Sequence, residues 1–306
     1  MLAHSDFQTF VEKLKKLPGP PVDLVNEVND TPSPPVDFEF LTELKLGENV
    51  PPFDPDFVVG CSCPEEGCTD RDECECIEDL SPRRFAYGKH GRVVVKNLVA
   101  IFECNDKCAC GPSCGNRVVQ KGRQIPLQIF MTEKKGWGIR CPIAIKKGTF
   151  IDRYLGEVID PVEARRRGEE GHETGLSYLF DLDKFNLEDP EGGDDDELSV
   201  AGNRAHNRPS NQAPYCVDGR ACGTITRFIN HSCAPNLDTF VVASDRRDGL
   251  VYDLALFANR DIEPYEELAF SYVDETPSPV PSSQNANEKS WPCYCGAATC
   301  TKKLWY

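Results

Sequence analysis

Nine cysteines crowded between residues 61 and 114 constrain this chain more than any other feature. They form two runs with the spacings C-x-C-x4-C-x5-C-x-C and C-x3-C-x-C-x3-C: Cys61, Cys63, Cys68, Cys74, Cys76, Cys104, Cys108, Cys110 and Cys114. Because nine is odd, disulfides within the set would leave one thiol over. Neighbouring C-x-C pairs also direct their sulfurs at a shared centre more easily than they bond each other. The pattern therefore favours metal binding over disulfides.

The number of thiolates predicts how many metal ions they hold. Zinc takes four ligands, and nine thiolates fill about three tetrahedra if three of them each bridge two ions. Such a cluster carries net negative charge, so we expect a basic side chain such as Arg83, Arg84 or Lys107 to donate to its sulfurs. The region has few large hydrophobic residues, which indicates that the metal stabilises its fold and does not catalyse a reaction.

A second cysteine group near the carboxy terminus is one ligand short of a tetrahedron. It consists of Cys293, Cys295 and Cys300, with the spacing C-x-C-x4-C. Cys233 lies in a polar, turn-like segment and is the predicted fourth ligand, whereas three other cysteines fit small buried hydrophobic positions: Cys141, Cys216 and Cys222. The whole chain is therefore predicted to bind about four zinc ions.

Composition narrows the classes of partner. The 306 residues include 50 acidic and 34 basic side chains, giving a formal charge of −16, so direct DNA binding is not expected. An acidic surface attracts a basic partner, such as a Lys/Arg-rich protein tail. We find no secretory signal pattern and no apolar run of membrane-spanning length, so we expect a reducing intracellular setting and no membrane contact.

Hydrophobic periodicity gives a coarse map of elements. A helix is predicted over residues 7 to 17, with Ser5 or Asp6 as its cap, and the Pro-rich residues 18 to 55 are either linker or an extended segment laid over another domain. The acidic stretch within 188 to 214 fits a solvated loop insertion. Short strands are predicted in the rest of the chain: 127 to 131, 138 to 141, 150 to 158, 250 to 257 and 267 to 272.

Several short motifs then occur in an order that resembles the SET-domain protein lysine methyltransferases. They are Gly136-Trp137-Gly138, Tyr154-Leu155-Gly156-Glu157, Tyr178-Leu179-Phe180, Arg227-Phe228-Ile229-Asn230-His231-Ser232-Cys233 and Glu267-Leu268-Ala269-Phe270-Ser271-Tyr272. The nine-cysteine region is similar to a pre-SET module, and the last cysteines to a post-SET segment. The combination resembles the fungal suppressor-of-variegation class, which acts on lysine-9 of histone H3.

The resemblance implies a fold and a division of the chain. The fold would be mainly β with few helices: a SET domain of several small sheets with pseudoknot-like carboxy-terminal threading, plus the zinc-cluster module. The expected parts are an amino-terminal helix and extended segment, a pre-SET module, a SET catalytic domain, and a linker with the post-SET zinc segment: 1–57, 58–122, 123–273 and 274–306.

The resemblance also implies roles for individual residues. Tyr272 would be the essential hydroxyl beside the amine, Tyr178 a second hydroxyl on the lysine channel, and Phe270 the residue that limits how many methyl groups fit. The cofactor would be S-adenosylmethionine, and nine residues are implied to contact it: Gly136, Trp137, Gly138, Tyr215, Arg227, Phe228, Asn230, His231 and Trp305.

The implied function is transfer of methyl groups to a lysine of the basic histone H3 tail, in the nucleus on chromosomes, in support of heterochromatin and gene silencing. Lysine-9 and the di- and trimethyl products are expected, with chromatin-associated proteins as further partners. Two alternatives stay open: a methyltransferase of a non-histone protein, and a non-catalytic zinc-dependent module that binds a histone tail. A zinc-based DNA binder is a weak third because of the net charge.

Overall fold

The computed structural model of the chain describes the ranges 2–28, 33–54, 56, 58–78, 80, 83–174, 178–183, 215–247, 249–272 and 291–304. Trp305 and the predicted acidic insertion at 188–214 lie outside the described residues. Within the described part, no helix is long and apolar enough to cross a membrane.

Short strands dominate the described residues, and only two α-helices accompany them. The helices are α1 (Leu2–Leu14) and α2 (Pro161–Thr174). The strands are β1 (Val22–Val25), β2 (Glu39–Phe40), β3 (Lys45–Leu46), β4 (Ile101–Phe102), β5 (Leu127–Met131), β6 (Trp137–Arg140), β7 (Phe150–Tyr154), β8 (Glu157–Ile159), β9 (Leu179–Asp181), β10 (Cys216–Asp218), β11 (Cys222–Gly223), β12 (Asn230–His231), β13 (Leu237–Ala243), β14 (Asp253–Ala258) and β15 (Glu267–Phe270).

These strands form four small sheets, which confirms the predicted fold class of mainly β structure in several sheets. Their strand orders are β1-β5-β6-β15-β12, β3-β8-β10-β9, β4-β13-β14-β7 and the pair β11-β2. Strands β12 and β15 lie side by side and parallel, with Asn230 opposite Ala269 and His231 opposite Phe270. Two distant motifs of the sequence therefore meet at one sheet edge.

The strand predictions hold where hydrophobic alternation is clear. In β5 the side chains of Leu127, Ile129 and Met131 are buried while those between them are partly exposed, as period-two alternation requires. The prediction of a single strand over 150 to 158 is wrong, because residues 155 and 156 interrupt the extended structure and separate β7 from β8. A Cβ on Gly156 would lie 2.3 Å from the Asp218 carbonyl oxygen, so glycine permits this close approach.

The amino-terminal helix is confirmed, but its predicted limits are wrong. Helix α1 spans Leu2–Leu14, so Ser5 and Asp6 lie inside it and do not cap it. Phe10 is fully buried, with its ring 5.7 Å from that of Phe40 and 6.0 Å from that of Phe228. The helix is thus anchored to the main core by its apolar face.

The segment after α1 is laid over the main domain, so of the two predicted alternatives the extended segment is correct for its described part. Strand β1 pairs in parallel with β5, from Val22 opposite Leu127 to Val25 opposite Phe130. Strands β2 and β3 add to β11 and β8. The Lys13 amine also donates to the backbone carbonyl of Phe38 at 3.0 Å, which ties α1 to this segment.

A buried carboxylate fixes the junction between the cysteine-rich region and the sheets. Glu103 has no solvent exposure and follows β4, which pairs with β13. Its side chain accepts hydrogen bonds from the Tyr87 hydroxyl at 2.7 Å, from the backbone amides of Val118 and Val119, and from the Gln120 side chain at 2.8 Å. Several donors offset the cost of burying the charge.

We expect Phe10→Ala to destabilise the protein by about 3 to 5 kcal/mol, because it opens a cavity between α1 and the main core. Chemical denaturation with a fluorescence readout measures the change. Gln8→Ala, at an exposed position of the same helix, is the matched control and should change the free energy of unfolding by less than about 0.5 kcal/mol. Equal effects of the two substitutions would contradict the packing role of Phe10.

Candidate active site and metal centres

An aromatic cleft of about 160 Å³ lies where β9 approaches the end of β15. Its walls include the rings of Tyr154, Tyr178, Phe180, Phe270 and Tyr272. Asp181 and Asp183 also line it and supply negative charge, while Arg227 supplies a positive charge. The structure therefore brings together the three predicted catalytic residues, which lie on two separate parts of the chain.

Tyr272 is held in place at both its backbone and its hydroxyl. Its backbone N–H donates to Nδ1 of His231 at 3.1 Å, and its hydroxyl donates to the Ile229 carbonyl at 2.6 Å. Burial raises the pKa of the Tyr272 phenol well above its usual value. The hydroxyl therefore stays protonated at neutral and moderately alkaline pH, with its oxygen available to accept a hydrogen bond.

Tyr154 is a part of this site that sequence reasoning did not assign, although it begins one of the recognised motifs. It is buried in β7, and its hydroxyl donates to the Tyr178 carbonyl at 2.8 Å. The guanidinium carbon of Arg227 lies 4.4 Å from the centre of the Tyr178 ring. Tyr178 is therefore supported from two sides.

Phe270 occupies the inner wall of the cleft. Its ring centre lies 4.9 Å from that of Tyr272 and 6.4 Å from that of Phe180, to which it is nearly parallel. Because the side chain is almost fully buried, a polar atom added to this ring would enter a confined aromatic space.

The predicted glycine turn lies next to the edge formed by β12 and β15. Gly136 has a positive φ of 71°, which glycine adopts without strain. A Cβ on Gly138 would lie 3.0 Å from the Glu267 carboxylate and 3.1 Å from the Asn230 side-chain amide. Asn230 donates to the Trp137 carbonyl and to Glu267, which also pairs with Lys135 at 2.5 Å. Glu267 and Lys135 are site residues that the sequence analysis did not assign.

The other residues implied to contact the cofactor are placed differently. Phe228 packs against Phe10 and Phe38 in the main core, and Tyr215 is buried in a second core with Tyr154 and Val217. Arg227 lies over the Tyr178 ring at the cleft. Within the described residues, Trp137, Gly138, Asn230 and His231 therefore cluster at the sheet edge, while Phe228 and Tyr215 have interior packing positions.

The amino-terminal cysteines converge as the sequence predicts. Three groups of four sulfurs have all members within 4.8 Å of one another: Cys61, Cys104, Cys108 and Cys110; Cys61, Cys63, Cys68 and Cys74; Cys68, Cys104, Cys110 and Cys114. The ninth cysteine, Cys76, has its sulfur 3.4 Å from that of Cys108. Cys61, Cys68, Cys104 and Cys110 each belong to two groups, so their sulfurs are placed where they could bridge two metal ions.

The surroundings of these sulfurs fit thiolates bound to zinc. Backbone N–H groups donate to sulfur, for example from Asn105 to Cys108 at 3.2 Å and from Asn116 to Cys114 at 3.4 Å. Of the basic residues named as examples of sulfur donors, Arg83 donates to the Asp72 carbonyl. The buried Arg117 lies 3.9 Å from the Cys110 sulfur and also binds nearby carbonyls. Four-sulfur donor sets with such partners suit zinc.

The second metal centre joins the carboxy terminus to β12. Cys233 lies two residues after the end of this strand, and its sulfur lies within 4.8 Å of those of Cys293, Cys295 and Cys300. The backbone amide of Lys302 donates to the Cys300 sulfur at 3.3 Å. The position of Cys233 therefore supports its prediction as the fourth ligand of the carboxy-terminal site. Cys141, Cys216 and Cys222 are buried and belong to neither the amino-terminal nor the carboxy-terminal cysteine groups.

We expect purified protein to contain about four zinc ions per chain, three in the amino-terminal cluster and one in the carboxy-terminal site. Cys295→Ser should release one ion and leave the first cluster loaded. Elemental analysis of both proteins measures this, and Cys222→Ser is the control because Cys222 is buried away from both centres. Two or fewer ions in the folded wild-type protein would contradict the shared-sulfur arrangement.

Comparisons with known proteins agree with this geometry. The profile of the SET domain matches residues 136–273, and that of the pre-SET motif matches residues 14–117. A histone-lysine N-methyltransferase of Schizosaccharomyces pombe, H3 lysine-9 specific, is 40% identical over 96% of this chain and 57% of its own length. The H3 lysine-9 specific enzyme dim-5 of Neurospora crassa is 39% identical over 93% of this chain and 88% of its own length.

Solved structures show the same likeness. One structure, solved to explain the product specificity of histone lysine methyltransferases, superposes on this chain with a TM-score of 0.73 and 38% sequence identity. The match covers 93% of this chain and 100% of the other. SUVH6 of Arabidopsis thaliana, solved with S-adenosylmethionine (SAM), has a TM-score of 0.70 and 29% identity, covering 95% of this chain and 55% of the other. The chain therefore belongs to the SET-domain histone-lysine methyltransferases that carry a pre-SET motif.

Proposed function

We propose that this enzyme transfers methyl groups from SAM to lysine-9 of the histone H3 tail and carries the lysine to the di- and trimethyl states. The observation that supports this most strongly is the aromatic cleft with Tyr272 at its inner end. Its aromatic walls suit the aliphatic stem of a lysine, and its tyrosine oxygens suit the amine. The named specificity of two relatives supports the choice of lysine-9.

The cleft favours the form of the amine that can react. A lysine amine has a pKa of about 10.4 in water, and its protonated form has no lone pair for attack. Transfer into an aromatic environment disfavours the charged form, and the positive charge of Arg227 at the same cleft acts in the same direction. Asp181 and Asp183 act in the opposite direction, but they lie at the mouth, where water screens their charge. The amine therefore loses its proton to solvent before the methyl group is transferred.

Positioning then accounts for most of the catalysis. When bound, SAM supplies a methyl group on a positively charged sulfur, which the amine attacks along the line of the breaking carbon–sulfur bond. The Tyr272 hydroxyl is fixed by its bond to the Ile229 carbonyl, so its oxygen has a defined direction toward the end of the cleft. A fixed acceptor costs no reorganisation during the reaction.

The residues at the β12–β15 edge are the proposed cofactor contacts. Trp137, Gly138, Asn230 and His231 cluster there, and the missing side chain of Gly138 lets the Asn230 amide and the Glu267 carboxylate pack directly against the turn. Arg227 belongs to the same proposed set, and Gly136 shapes the turn. Phe228 lies under the Arg227 guanidinium and shares a core with Trp137, whereas Tyr215 lies in the second core beside Tyr154. Trp305 is proposed to cover the cofactor from the carboxy-terminal segment.

The acidic residues at the cleft fit a basic tail. Asp181 is exposed and Asp183 partly exposed at the mouth, and the net charge of −16 adds a long-range attraction for a basic tail. We further propose that the enzyme acts in the nucleus on chromosomes, where it supports heterochromatin and silencing. The proposed parts of the chain remain 1–57, 58–122, 123–273 and 274–306.

Methylation of an array of histone H3 peptides, read by mass spectrometry, tests the proposal. We expect methyl transfer only to peptides that contain lysine-9, and none when that lysine is replaced by arginine. Transfer to another lysine would overturn the site assignment. Tail binding without transfer would favour the non-catalytic alternative.

Tyr272→Phe removes one hydroxyl and little volume, so folding and SAM binding should persist. Turnover should fall by about a hundredfold or more, which corresponds to about 3 kcal/mol of transition-state stabilisation. Steady-state kinetics on an H3 peptide measures the loss. Tyr265→Phe makes the same change at an exposed ring, 56% accessible, and should leave turnover unchanged. Normal turnover in Tyr272→Phe would remove this hydroxyl from the mechanism.

Activity should rise with pH from about 7 to 9, close to tenfold per unit at limiting peptide, since the neutral amine becomes more abundant. The raised pKa of Tyr272 means that its phenol stays protonated over this range and adds no descending limb. The pH profile of kcat/KM measures the trend. A fall below pH 9 in the wild type that is absent in Tyr272→Phe would show that Tyr272 ionises earlier than its burial implies.

Phe270→Tyr should stop the reaction mainly at the mono- or dimethyl state with little loss in the first transfer. The added oxygen takes space in the cleft and hydrogen-bonds the amine, which hinders its rotation for later transfers. Mass spectrometry of products over time compares the two proteins. Phe130→Tyr, on a partly exposed ring of β5 outside the cleft, is the matched control. Trimethylation by Phe270→Tyr at the wild-type rate would make Phe270 a packing residue only.

A further inference from the structure

The basic residues of this acidic chain are unevenly distributed. Residues 83 to 147 contain fourteen of the 34 Lys and Arg side chains but only three of the 50 acids, namely Glu103, Asp106 and Glu133. Glu103 is completely buried, so it contributes little to the outer surface. The net charge of −16 predicts no DNA binding only if the charge is spread evenly over the surface, and residues 83 to 147 are instead basic.

Part of this segment folds into a basic hairpin. An isolated bridge pairs Tyr87 with Val93, and the Gly88 amide donates to the Arg92 carbonyl at 2.8 Å. At the tip, His90 and Gly91 have positive φ values of 62° and 65°, which give a tight reversal. Lys89 and His90 are exposed there, and Arg92 is partly exposed.

A second basic turn lies against this hairpin. The Val93 amide donates to the Gly148 carbonyl at 2.8 Å, and a Cβ on Gly148 would lie 3.1 Å from that of Arg92. Lys146 and Lys147 precede this glycine and are both exposed. We define the basic hairpin surface as five residues: Lys89, His90, Arg92, Lys146 and Lys147.

Little of this charge is neutralised by the described part of the protein. Lys146 pairs with Asp261 at 2.6 Å, and Asp261 also accepts from the Lys147 backbone amide. Lys89, Arg92 and Lys147 make no side-chain ion pair with a described carboxylate. One carboxylate, Asp261, therefore faces several cations, and the charge it leaves uncompensated repels itself, which an anion with closely spaced charges relieves.

We propose that the basic hairpin surface binds the phosphate backbone of duplex DNA next to the histone tail on a nucleosome. The inference rests on the proposed histone substrate, because a tail presented by a nucleosome lies beside DNA. Lysine side chains on turns act as point charges for phosphates and read no base sequence. The negative charge of the remaining surface restricts this contact to one face, so binding orients the enzyme without attaching it tightly to bulk DNA.

The test compares Lys89→Glu/Lys147→Glu with the matched control Lys15→Glu/Lys16→Glu, which makes the same charge change at two exposed positions just after the end of α1. Fluorescence anisotropy with a 30-base-pair duplex gives affinity as a function of salt. Turnover is measured on mononucleosomes and on a free H3 peptide. None of the four lysines lines the cleft.

We expect the hairpin variant to lose about tenfold in kcat/KM on nucleosomes at low salt and nothing on the peptide, while the control stays near wild type. Its salt slope for duplex binding should be smaller by about two. Equal losses in both variants would mean that only net charge matters. Unchanged nucleosome activity in the hairpin variant would overturn the assignment of this surface to DNA binding. Tighter binding of single-stranded RNA than of duplex would overturn the assignment to DNA. Wild-type inactivity on the peptide would instead count against the proposed function.

Discussion

The parallel pairing of β12 with β15 is the interaction on which the rest of the site depends. It sets His231 opposite Phe270, the last residue of β15, so the two residues that follow the strand bring the Tyr272 amide to the Nδ1 atom of His231. Asn236 strengthens the same junction, since its side chain accepts from the Ala269 amide and donates to the Glu267 carbonyl. One short pairing therefore determines the position of the proposed catalytic hydroxyl, the inner wall of the cleft and the glycine turn.

The same junction connects the active site to the second metal centre. His231 accepts from the Tyr272 amide, and two residues later Cys233 joins the three carboxy-terminal cysteines. A zinc ion there would hold the end of the chain against β12 although few hydrophobic contacts are available. Zinc ligation would thus position the proposed post-SET segment at the edge where the cofactor is proposed to bind.

The amino-terminal cysteine cluster has a structural role. Its sulfurs form a core of their own that bound zinc would stabilise, and Glu103 and Arg247 attach that core to the sheets. Arg247 donates to the Glu103 carbonyl at 2.8 Å and packs on the Phe102 ring. The cluster therefore supports the catalytic domain from the side of β4 and β13, and the described residues place none of its cysteines in the cleft.

The sequence by itself determined the local chemistry of this protein. Cysteine spacing indicated two metal centres, alternation located β5, and short motifs named Tyr178, Phe270 and Tyr272, because these signals lie within a few consecutive residues. Only the tertiary structure decided which distant groups meet. Arg117 near the Cys110 sulfur, Tyr154 behind Tyr178, and Lys135 with Glu267 all depend on strand pairing between remote segments. Helix α2 was not predicted from the sequence, because its residues show little apolar periodicity. It is stabilised instead by ion pairs with remote residues, such as that of Arg167 with Asp218 of β10.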